Sequence, residues 1–346
     1  MIAKPVIKLT KFQIQSLQMF RGLAALAVVA HHATLSTSAF VDTIPEPLAT
    51  LLGMGFLGVD FFFVLSGFII MYAHMDDART PTALKRYALK RLARIFPAYL
   101  PVGAAMIVLY MVLPGFSAAG GRDYSLVSSL FLLPADGAPA LSVAWTLVHE
   151  LMFYAVFLLF FLSRQWLVGG LLVWAIVIFM ANYFYTPTDW LRYPLNVLNI
   201  EFMLGVGAAW LVQSGPTGMR GKWLAGVGLA IASVAIWLLM QSAAGYLRLM
   251  LAFGLALLVV GFALHEQQVS VRWPALLLVM GNASYSIYLI HNPLLSITQR
   301  LAARMGLMWP LAMVWGVVLS VLAGWMYYRL VERPALQFFQ QRLRRR

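Results

Sequence analysis

Long apolar blocks are the feature of this sequence that most constrains its fold. Ten blocks of mostly apolar residues follow one another, at about 19–40, 55–74, 95–114, 142–163, 165–184, 194–213, 222–241, 245–264, 275–298 and 309–331. A helix needs about 20 such residues to cross the hydrocarbon layer of a membrane, whereas transmembrane strands are shorter and alternate apolar with polar residues. The sequence therefore predicts an all-α fold, a polytopic transmembrane helical bundle of about ten spanning helices.

The composition excludes several classes of protein. Of the 346 residues, 62% are hydrophobic and 11% are charged, whereas soluble domains contain about 25% charged residues. The chain has no cysteine, which excludes disulfides, thiolate metal sites, iron–sulfur clusters and a cysteine acyl-enzyme. We expect no bound metal.

The basic residues are unevenly distributed between the predicted loops. If alternate loops lie on opposite sides of the membrane and the N-terminus is inside, all but five of the 25 Lys and Arg residues lie inside; the five are Arg122, Arg192, Arg248, Arg300 and Arg304. Cytoplasmic loops of membrane proteins collect Lys and Arg. The bias predicts that both termini are cytoplasmic, and it explains the net charge of +13 without a nucleic-acid partner.

The predicted helices fill nearly the whole chain, and we find no internal repeat. The main inside connection is predicted at about 75–94. Pro334 is expected to end the last helix, because proline disfavours helical conformation at the residue before it. The basic tail that follows, 335–346, is too short for a domain. We therefore expect a single membrane domain over 1–346, without a fused soluble domain.

Several ionisable residues lie within the predicted spans. They are His31, His32, Asp60, His149, Glu150, Glu201 and His291. Ionisable groups in hydrocarbon cost free energy and are candidates for functional sites by default. A transporter and a membrane enzyme would each contain such residues, so their positions on the helices have to separate the two.

Arg21 and His32 share one face of the first predicted helix. They are eleven residues apart, about 20° beyond three full turns and about 16 Å along the axis, whereas His31 is rotated by about 100° from His32. A cation at the cytoplasmic end and an imidazole near mid-membrane suit a long ligand, anionic at one end and reactive at the other. Alternatively, Arg21 is an interfacial anchor and His32 a hydrogen-bonded packing residue.

The acidic residues allow two interpretations. Glu150 is expected at about the depth of His32, some 12 Å below the outer surface, with Glu201 at a similar level and Asp60 shallower. A carboxylate beside an imidazole would orient the ring, which favours a function for Glu150. For Asp60 and Glu201 the favoured interpretation is pairing with buried Tyr, Trp, Asn or Ser. His291 either lines an outer mouth or caps a helix kink.

The predicted inside connection carries a cluster of basic residues. Lys85, Arg86, Lys90, Arg91 and Arg94 lie there, and Arg91 and Arg94 are one helical turn apart on one face. Clustered arginines suit bidentate binding of phosphate. Anionic lipid headgroups are the alternative partner, since they present the same chemistry.

Six segments, taken together, carry a family resemblance. They are Arg21-Gly22-Leu-Ala-Ala with His32, Gly58-Val59-Asp60-Phe-Phe-Phe-Val-Leu-Ser66-Gly67-Phe68, Arg91/Arg94-Ile-Phe-Pro97, Trp145-Thr146-Leu-Val-His149-Glu150 with Phe153-Tyr154, Ser284-Tyr285-Ser-Ile-Tyr288-Leu-Ile-His291, and Glu332-Arg333-Pro334. In this order and spacing the chain resembles membrane-bound acyltransferase family 3, which includes bacterial polysaccharide O-acetyltransferases. Thr146 stands where many members have Ser, and the hydrolase-like domain fused to longer members is not expected here.

The resemblance implies ten helices in the bacterial inner membrane, an acyl-CoA donor from the cytoplasm, and an acceptor hydroxyl on a glycan or glycolipid. It implies that His32 is the catalytic histidine, Arg21 its paired arginine and Glu150 the family's fourth-helix acid. Arg91 and Arg94 are implied as donor-side residues.

We therefore expect O-acyl transfer from acetyl-CoA, with His32 as general base and Glu150 orienting it or stabilising its charged form. Candidate donor-binding residues are Arg91, Arg94, Arg86 and Lys90, and candidate substrate-binding residues are Asp60, His291, Tyr288 and Glu201. The expected partners are acyl-CoA, the acceptor and membrane lipids.

The alternative is a transporter or flippase that moves a glycan precursor or a small anion without chemistry. Buried charge at mid-depth fits it too, but it predicts inverted repeats with broken helices in matching positions, which the sequence does not show. A structural scaffold in a glycan assembly complex would explain neither the alignment of Arg21 with His32 nor the basic cluster.

Overall fold

The computed structural model describes residues 14–116, 123–214, 220–242, 244–269 and 271–344. Within these ranges the chain forms helices joined by short turns, and the extended pairing is limited to an isolated bridge between Tyr124 and Ala138. The helices are α1 (Gln15–Phe40), α2 (Glu46–Gly53), α3 (Gly58–His74), α4 (Pro81–Val112), α5 (Leu126–Phe131), α6 (Trp145–Phe157), α7 (Arg164–Phe184), α8 (Asn199–Ser214), α9 (Gly221–Leu239), α10 (Gly245–Gln268), α11 (Ala275–Arg304), α12 (Trp309–Tyr327) and α13 (Arg333–Arg344).

The all-α fold with several membrane spans is confirmed. In the described part of the chain, eight helical segments are long and apolar enough to cross a membrane. Two further predicted spans, 194–213 and 275–298, correspond to α8 and α11, which are not among the eight. Helix α8 has only 16 residues, and α11 carries polar residues such as Ser284, Ser286 and His291 along its length. The count of ten and the orientation of the termini stay predictions.

The structure corrects two predicted helix ends. The basic segment predicted as an inside connection is helical from Pro81, because Thr80 accepts a hydrogen bond from the Ala83 amide at 3.2 Å and so caps α4. Pro334 does not end the helical structure, because a π-turn at Tyr328–Glu332 leads into α13, where proline occupies the first turn that tolerates it.

Glycines allow the site helices to pack closely. A Cβ atom built at Gly67 of α3 would lie 2.0 Å from the carbonyl oxygen of Phe202, and one built at Gly205 of α8 would lie 2.1 Å from that of Val64. The same holds between α1 and α11, where a Cβ at Gly281 would lie 1.9 Å from the Gln18 carbonyl oxygen. Small residues are the usual means by which membrane helices approach. They fix α1, α3, α8 and α11 around the site.

The first turn of α1 is held by a carboxylate from another helix. Glu266 of α10 accepts hydrogen bonds from the backbone amides of Gln15 at 2.7 Å and Ser16 at 2.8 Å, and from the Trp273 indole at 2.6 Å. A negative group at a helix N-terminus satisfies free amides and complements the helix dipole. This contact fixes the beginning of the helix that carries Arg21 and His32.

Candidate active site

Three cavities lie along α1. One is lined by His32, Leu35, Ser36 and Phe40 together with residues of α4 and α11, and the other two contain most of the candidate residues. The arginine cavity is lined by Arg21, Ser66, Arg91, Arg94, Glu150, Tyr154 and their neighbours. The histidine cavity is lined by His31, His32, Phe56, Ser142, Trp145, Arg248 and their neighbours. They enclose about 840 and about 800 Å³ of empty space including their openings. Val59 and Tyr288 line both cavities, so the two ends of the predicted α1 face open into adjacent spaces.

Arg94 is neutralised within the arginine cavity. Its Nη1 donates to the carboxylate of Glu332, which is 1% exposed, and Glu332 also accepts a hydrogen bond from Ser286 Oγ at 2.5 Å. The guanidinium lies 5.2 Å from the centre of the Tyr285 ring, within range of a cation–π interaction. Arg94 therefore connects α4 to α11 and to the turn before α13.

Arg91 is held in a different way. Its Nη2 donates to Nε2 of His74 at 2.9 Å, and Nδ1 of His74 lies 2.7 Å from a carboxylate oxygen of Asp77. Because a guanidinium only donates, Nε2 of His74 accepts and its Nδ1–H donates to Asp77. The Arg91 guanidinium also lies 5.7 Å from the Tyr154 ring. Its buried Nε atom has no hydrogen-bond partner among the described residues.

Glu150 lies with the arginines. It accepts hydrogen bonds from the Tyr154 hydroxyl and, at 3.4 Å, from Ser66 Oγ. The expectation that Glu150 orients His32 is therefore replaced by a different geometry, because the hydrogen bonds of His32 go to α1 itself and to α11. The Glu150 side chain of α6 lines the arginine cavity together with residues of α1, α3 and α4.

The hydrogen bonds of His32 define which ring nitrogen carries the proton and which keeps a lone pair. Its Nδ1 lies 3.0 Å from the Val28 carbonyl oxygen and 3.1 Å from Nε2 of His291, whose own Nδ1 lies 3.1 Å from the Ile287 carbonyl oxygen. A carbonyl oxygen only accepts, so Nδ1 carries the proton in both neutral rings. His291 Nε2 then accepts from His32, and Nε2 of His32 keeps its lone pair.

His31 is closer to the site than helical geometry predicted. Its Nδ1 donates to the Gly53 carbonyl oxygen at 2.7 Å, and its ring centre lies 4.9 Å from that of His32. The two imidazoles point in different directions from α1, as expected. Both nevertheless line the histidine cavity, because the turn at Met54–Leu57 brings the cavity wall around to His31.

Tyr288 forms the wall between the cavities. Its hydroxyl lies 2.9 Å from Thr146 Oγ1 and donates to the Val143 carbonyl oxygen at 3.1 Å. The tyrosine proposed as a substrate-binding residue therefore faces both spaces, and Thr146, in the position where Ser is common, supplies the hydroxyl that holds it.

Asp60 has a partner that the sequence did not predict. Both of its carboxylate oxygens accept hydrogen bonds from Arg248 of α10, from Nε and from Nη2, each at 2.8 Å. The predicted Tyr, Trp, Asn or Ser partner is therefore wrong for Asp60. Glu201 lies beside this pair and interacts electrostatically with both residues, although neither of its buried oxygens has a hydrogen bond of normal geometry to a described residue.

The remaining candidates lie away from the two cavities. Arg86 and Lys90 line a separate cavity with His74 and Asp77. Arg91 lines the arginine cavity and is hydrogen-bonded to His74, so it lies between the arginine cavity and this separate cavity. His149 Nδ1 is hydrogen-bonded to Asn199 Oδ1 at 2.9 Å, where α6 packs against α8 in the buried interior. Among the described residues, no group of three His, Cys, Asp or Glu side chains is placed to hold a metal ion.

Comparison with known families decides the class of this chain. The family model of the acyltransferase domain matches residues 14–329. The chain belongs to this acyltransferase family. The resemblance seen in its motifs is thereby confirmed, and the protein is a multi-pass membrane acyltransferase.

Relatives of this acyltransferase differ in their described roles. The exopolysaccharide production protein ExoZ of Rhizobium meliloti (strain 1021) is 32% identical over 306 residues, which cover 82% of this chain and 90% of ExoZ. Acyltransferase MdmB of Streptomyces mycarofaciens is 26% identical, over 95% of this chain and 93% of MdmB. Peptidoglycan O-acetyltransferase OatA of Listeria monocytogenes is 27% identical, over 51% of this chain and 28% of OatA. No solved structure matches the chain.

Proposed function

We propose that this acyltransferase resides in the bacterial inner membrane and transfers an acetyl group from cytoplasmic acetyl-CoA to a hydroxyl of a cell-surface or exported glycan. The observation that carries the proposal is that His32, whose Nε2 keeps its lone pair, lines a cavity adjacent to one lined by three arginines. The names of ExoZ and OatA, which refer to an exopolysaccharide and to peptidoglycan O-acetylation, support a glycan acceptor.

The arginine cavity is the proposed donor site. Glu332 balances the charge of Arg94 and Glu150 offsets part of the charge of Arg21, so the three arginines leave the cavity with a net positive charge for the phosphates of CoA. Arginine forms bidentate contacts with phosphate, and the unpartnered Nε of Arg91 offers one such donor. Arg86 and Lys90, in the cavity next to His74, are proposed to bind the part of CoA farthest from the thioester.

The proposed reaction needs one base. Nε2 of His32 accepts the proton of the acceptor hydroxyl while the hydroxyl oxygen bonds to the thioester carbonyl carbon. The carbon–sulfur bond then breaks, and the CoA thiolate leaves with the proton that His32 returns. General acid–base catalysis of this kind contributes about 10²–10⁴ in rate. An acetyl-imidazole formed at Nε2 would use the same lone pair, so the tautomer set by the Val28 carbonyl oxygen and His291 serves either route.

Glu150 is proposed to act on the donor side. It interacts electrostatically with Arg21 and accepts the Tyr154 hydroxyl, whose ring faces Arg91. It therefore positions the groups that face the donor. The transporter alternative is not favoured, because the chain belongs to an acyltransferase family.

The direct test uses the purified protein in lipid nanodiscs with acetyl-CoA labelled in the acetyl group. We expect release of CoA and, with membrane glycan from the parent strain, transfer of label to the glycan. A deletion strain should lack the corresponding acetyl ester by mass spectrometry. Binding of acetyl-CoA without turnover, together with unchanged glycan acetylation in the deletion strain, would contradict the proposal.

A further inference from the structure

The histidine cavity contains a charged group that the acyl-transfer chemistry does not use. Arg248 comes from the second turn of α10 and lines the same cavity as His32. Arginine in a membrane-spanning segment costs free energy and is normally paired or functional. Here it is paired with Asp60, which is fully buried and itself absent from the cavity lining.

The pairing fixes the direction of the guanidinium. Asp60 binds Nε and Nη2 together, at 2.8 Å each, and a bidentate pair of this kind holds the planar group in one orientation. The guanidinium also lies 5.5 Å from the centre of the Phe56 ring. Nη1 is the nitrogen that the Asp60 carboxylate does not engage, and it remains available to an oxygen atom in the cavity.

The charge balance of the cavity selects the class of ligand. Asp60 compensates the positive charge of Arg248, and Glu201 adds a second buried carboxyl beside the pair. An anionic ligand would therefore meet an arginine that is already neutralised, and burying an uncompensated charge costs much free energy. Hydroxyl groups bring no such cost.

The remaining lining suits a sugar ring. Trp145 and Phe56 present aromatic rings, while Ser142 and the two imidazoles offer hydrogen-bonding atoms. Ligand cavities combine apolar surfaces with a few placed polar groups in this way. The apolar face of a sugar can lie on the aromatic rings while its hydroxyls reach the polar atoms.

We propose that Arg248, oriented by Asp60, binds an uncharged saccharide unit of the acceptor in the histidine cavity, with Nη1 donating to a sugar oxygen. This inference rests on the proposed function and adds the acceptor site and its chemical class. Arg248 and His32 line the same cavity, so the arginine would position the saccharide unit whose hydroxyl is acylated. The competing explanation is that the Asp60–Arg248 pair only joins α3 to α10.

The test measures acceptor and donor KM separately in nanodiscs. The variants are Arg248→Lys, which keeps the charge but loses the bidentate fork, and Asp60→Asn, which frees the fork without changing side-chain size. The control is Arg304→Lys; Arg304 lies at the exposed C-terminal end of α11 and is not among the residues that line the described cavities. The acceptors are p-nitrophenyl β-glucoside and β-galactoside, each compared with its uronic acid counterpart.

We expect both site variants to raise the acceptor KM by about tenfold to a hundredfold, as for a lost hydrogen bond to a charged group. The KM for acetyl-CoA should stay unchanged, and Arg304→Lys should equal the wild type in both constants. The wild type should acetylate a neutral glycoside at least about tenfold better than its uronic acid. Lower thermal stability with an unchanged acceptor KM, preference for a uronic acid, or transfer to none of these sugars would overturn the proposal. A wild-type protein without acetyl-CoA turnover would instead contradict the proposed function itself.

Discussion

Nδ1 of His32 lies 3.1 Å from Nε2 of His291, which is 259 residues away in the sequence. His291 is fully buried, and its other nitrogen donates to a carbonyl oxygen of its own helix. The second imidazole therefore accepts the Nδ1 proton of the first together with the Val28 carbonyl oxygen, and the two acceptors leave the lone pair of His32 on Nε2. This relationship assigns His291 a positioning role in place of the expected substrate-binding role, and we propose it as such.

Replacing His291 tests this positioning. His291→Ala removes one of the two acceptors of the His32 Nδ1–H group and leaves the Val28 carbonyl oxygen, so we expect kcat to fall by about threefold to tenfold while the KM for acetyl-CoA stays unchanged. His291→Gln, whose side-chain carbonyl can accept the same proton, should recover part of the loss. Equal kcat in the wild type and in His291→Ala, or equal losses in the two variants, would contradict the role.

The sequence predicted parts of this site and missed others for physical reasons. Helical periodicity placed Arg21 and His32 on one face, because both lie on one unbroken helix. It did not predict the contact with His291 or the Asp60–Arg248 pair, because these depend on how distant helices pack. The predicted topology assigns Arg248 to an outside loop, although its position at the start of an apolar block indicates a membrane-embedded charge.

The fold was predictable to a similar extent. Apolar blocks predicted the membrane helices, since the bilayer sets their length. The charge of the basic segment predicts a connection, whereas the segment forms the first turns of α4, a capped helix that begins at Pro81. Hydropathy in the sequence is therefore enough to locate the membrane helices. It is not enough to locate helix ends that depend on capping or contacts that depend on helix–helix packing.

Close packing of α3 and α8 predicts that alanine substitutions at two glycines of α8 have different effects on stability. A Cβ at Gly205 would lie 2.1 Å from the Val64 carbonyl oxygen, whereas nothing lies within 4 Å of a Cβ at Gly207. Gly205→Ala should therefore lower stability by about 1–3 kcal/mol through overpacking, and Gly207→Ala should be neutral or slightly stabilising. Thermal melting in detergent measures both. Similar melting temperatures for the two variants would show that α3 and α8 are not in close contact.

The Arg94–Glu332 ion pair predicts that substitutions of its two members have non-additive effects on stability. Arg94→Ala leaves the buried Glu332 carboxylate without its ion partner, and breaking such a pair from one side costs about 3–5 kcal/mol. The double variant Arg94→Ala/Glu332→Ala should recover much of this loss, because no unpaired charge is left. Melting temperatures of the two single variants and the double variant test the coupling. Additive losses would mean that the pair contributes nothing specific.

We expect the donor site to distinguish acyl donors that carry phosphates from those that do not. Acetyl-CoA should react with a lower KM than S-acetylpantetheine, which has the thioester but not the phosphates. In Arg91→Ala the KM for acetyl-CoA should rise by about tenfold, while that for S-acetylpantetheine should change little. A parallel rise for both donors would place Arg91 away from the phosphates.

The most direct test of the central claim is labelled acetyl transfer by purified His32→Ala. The lone pair on His32 Nε2 is the proposed base, so we expect transfer to fall by at least about 100-fold with expression and detergent-extracted size unchanged. His265→Ala, which replaces a histidine of α10 that is not among the residues lining either cavity, should transfer acetyl groups like the wild type. Near-normal transfer by well-folded His32→Ala would contradict the proposed mechanism.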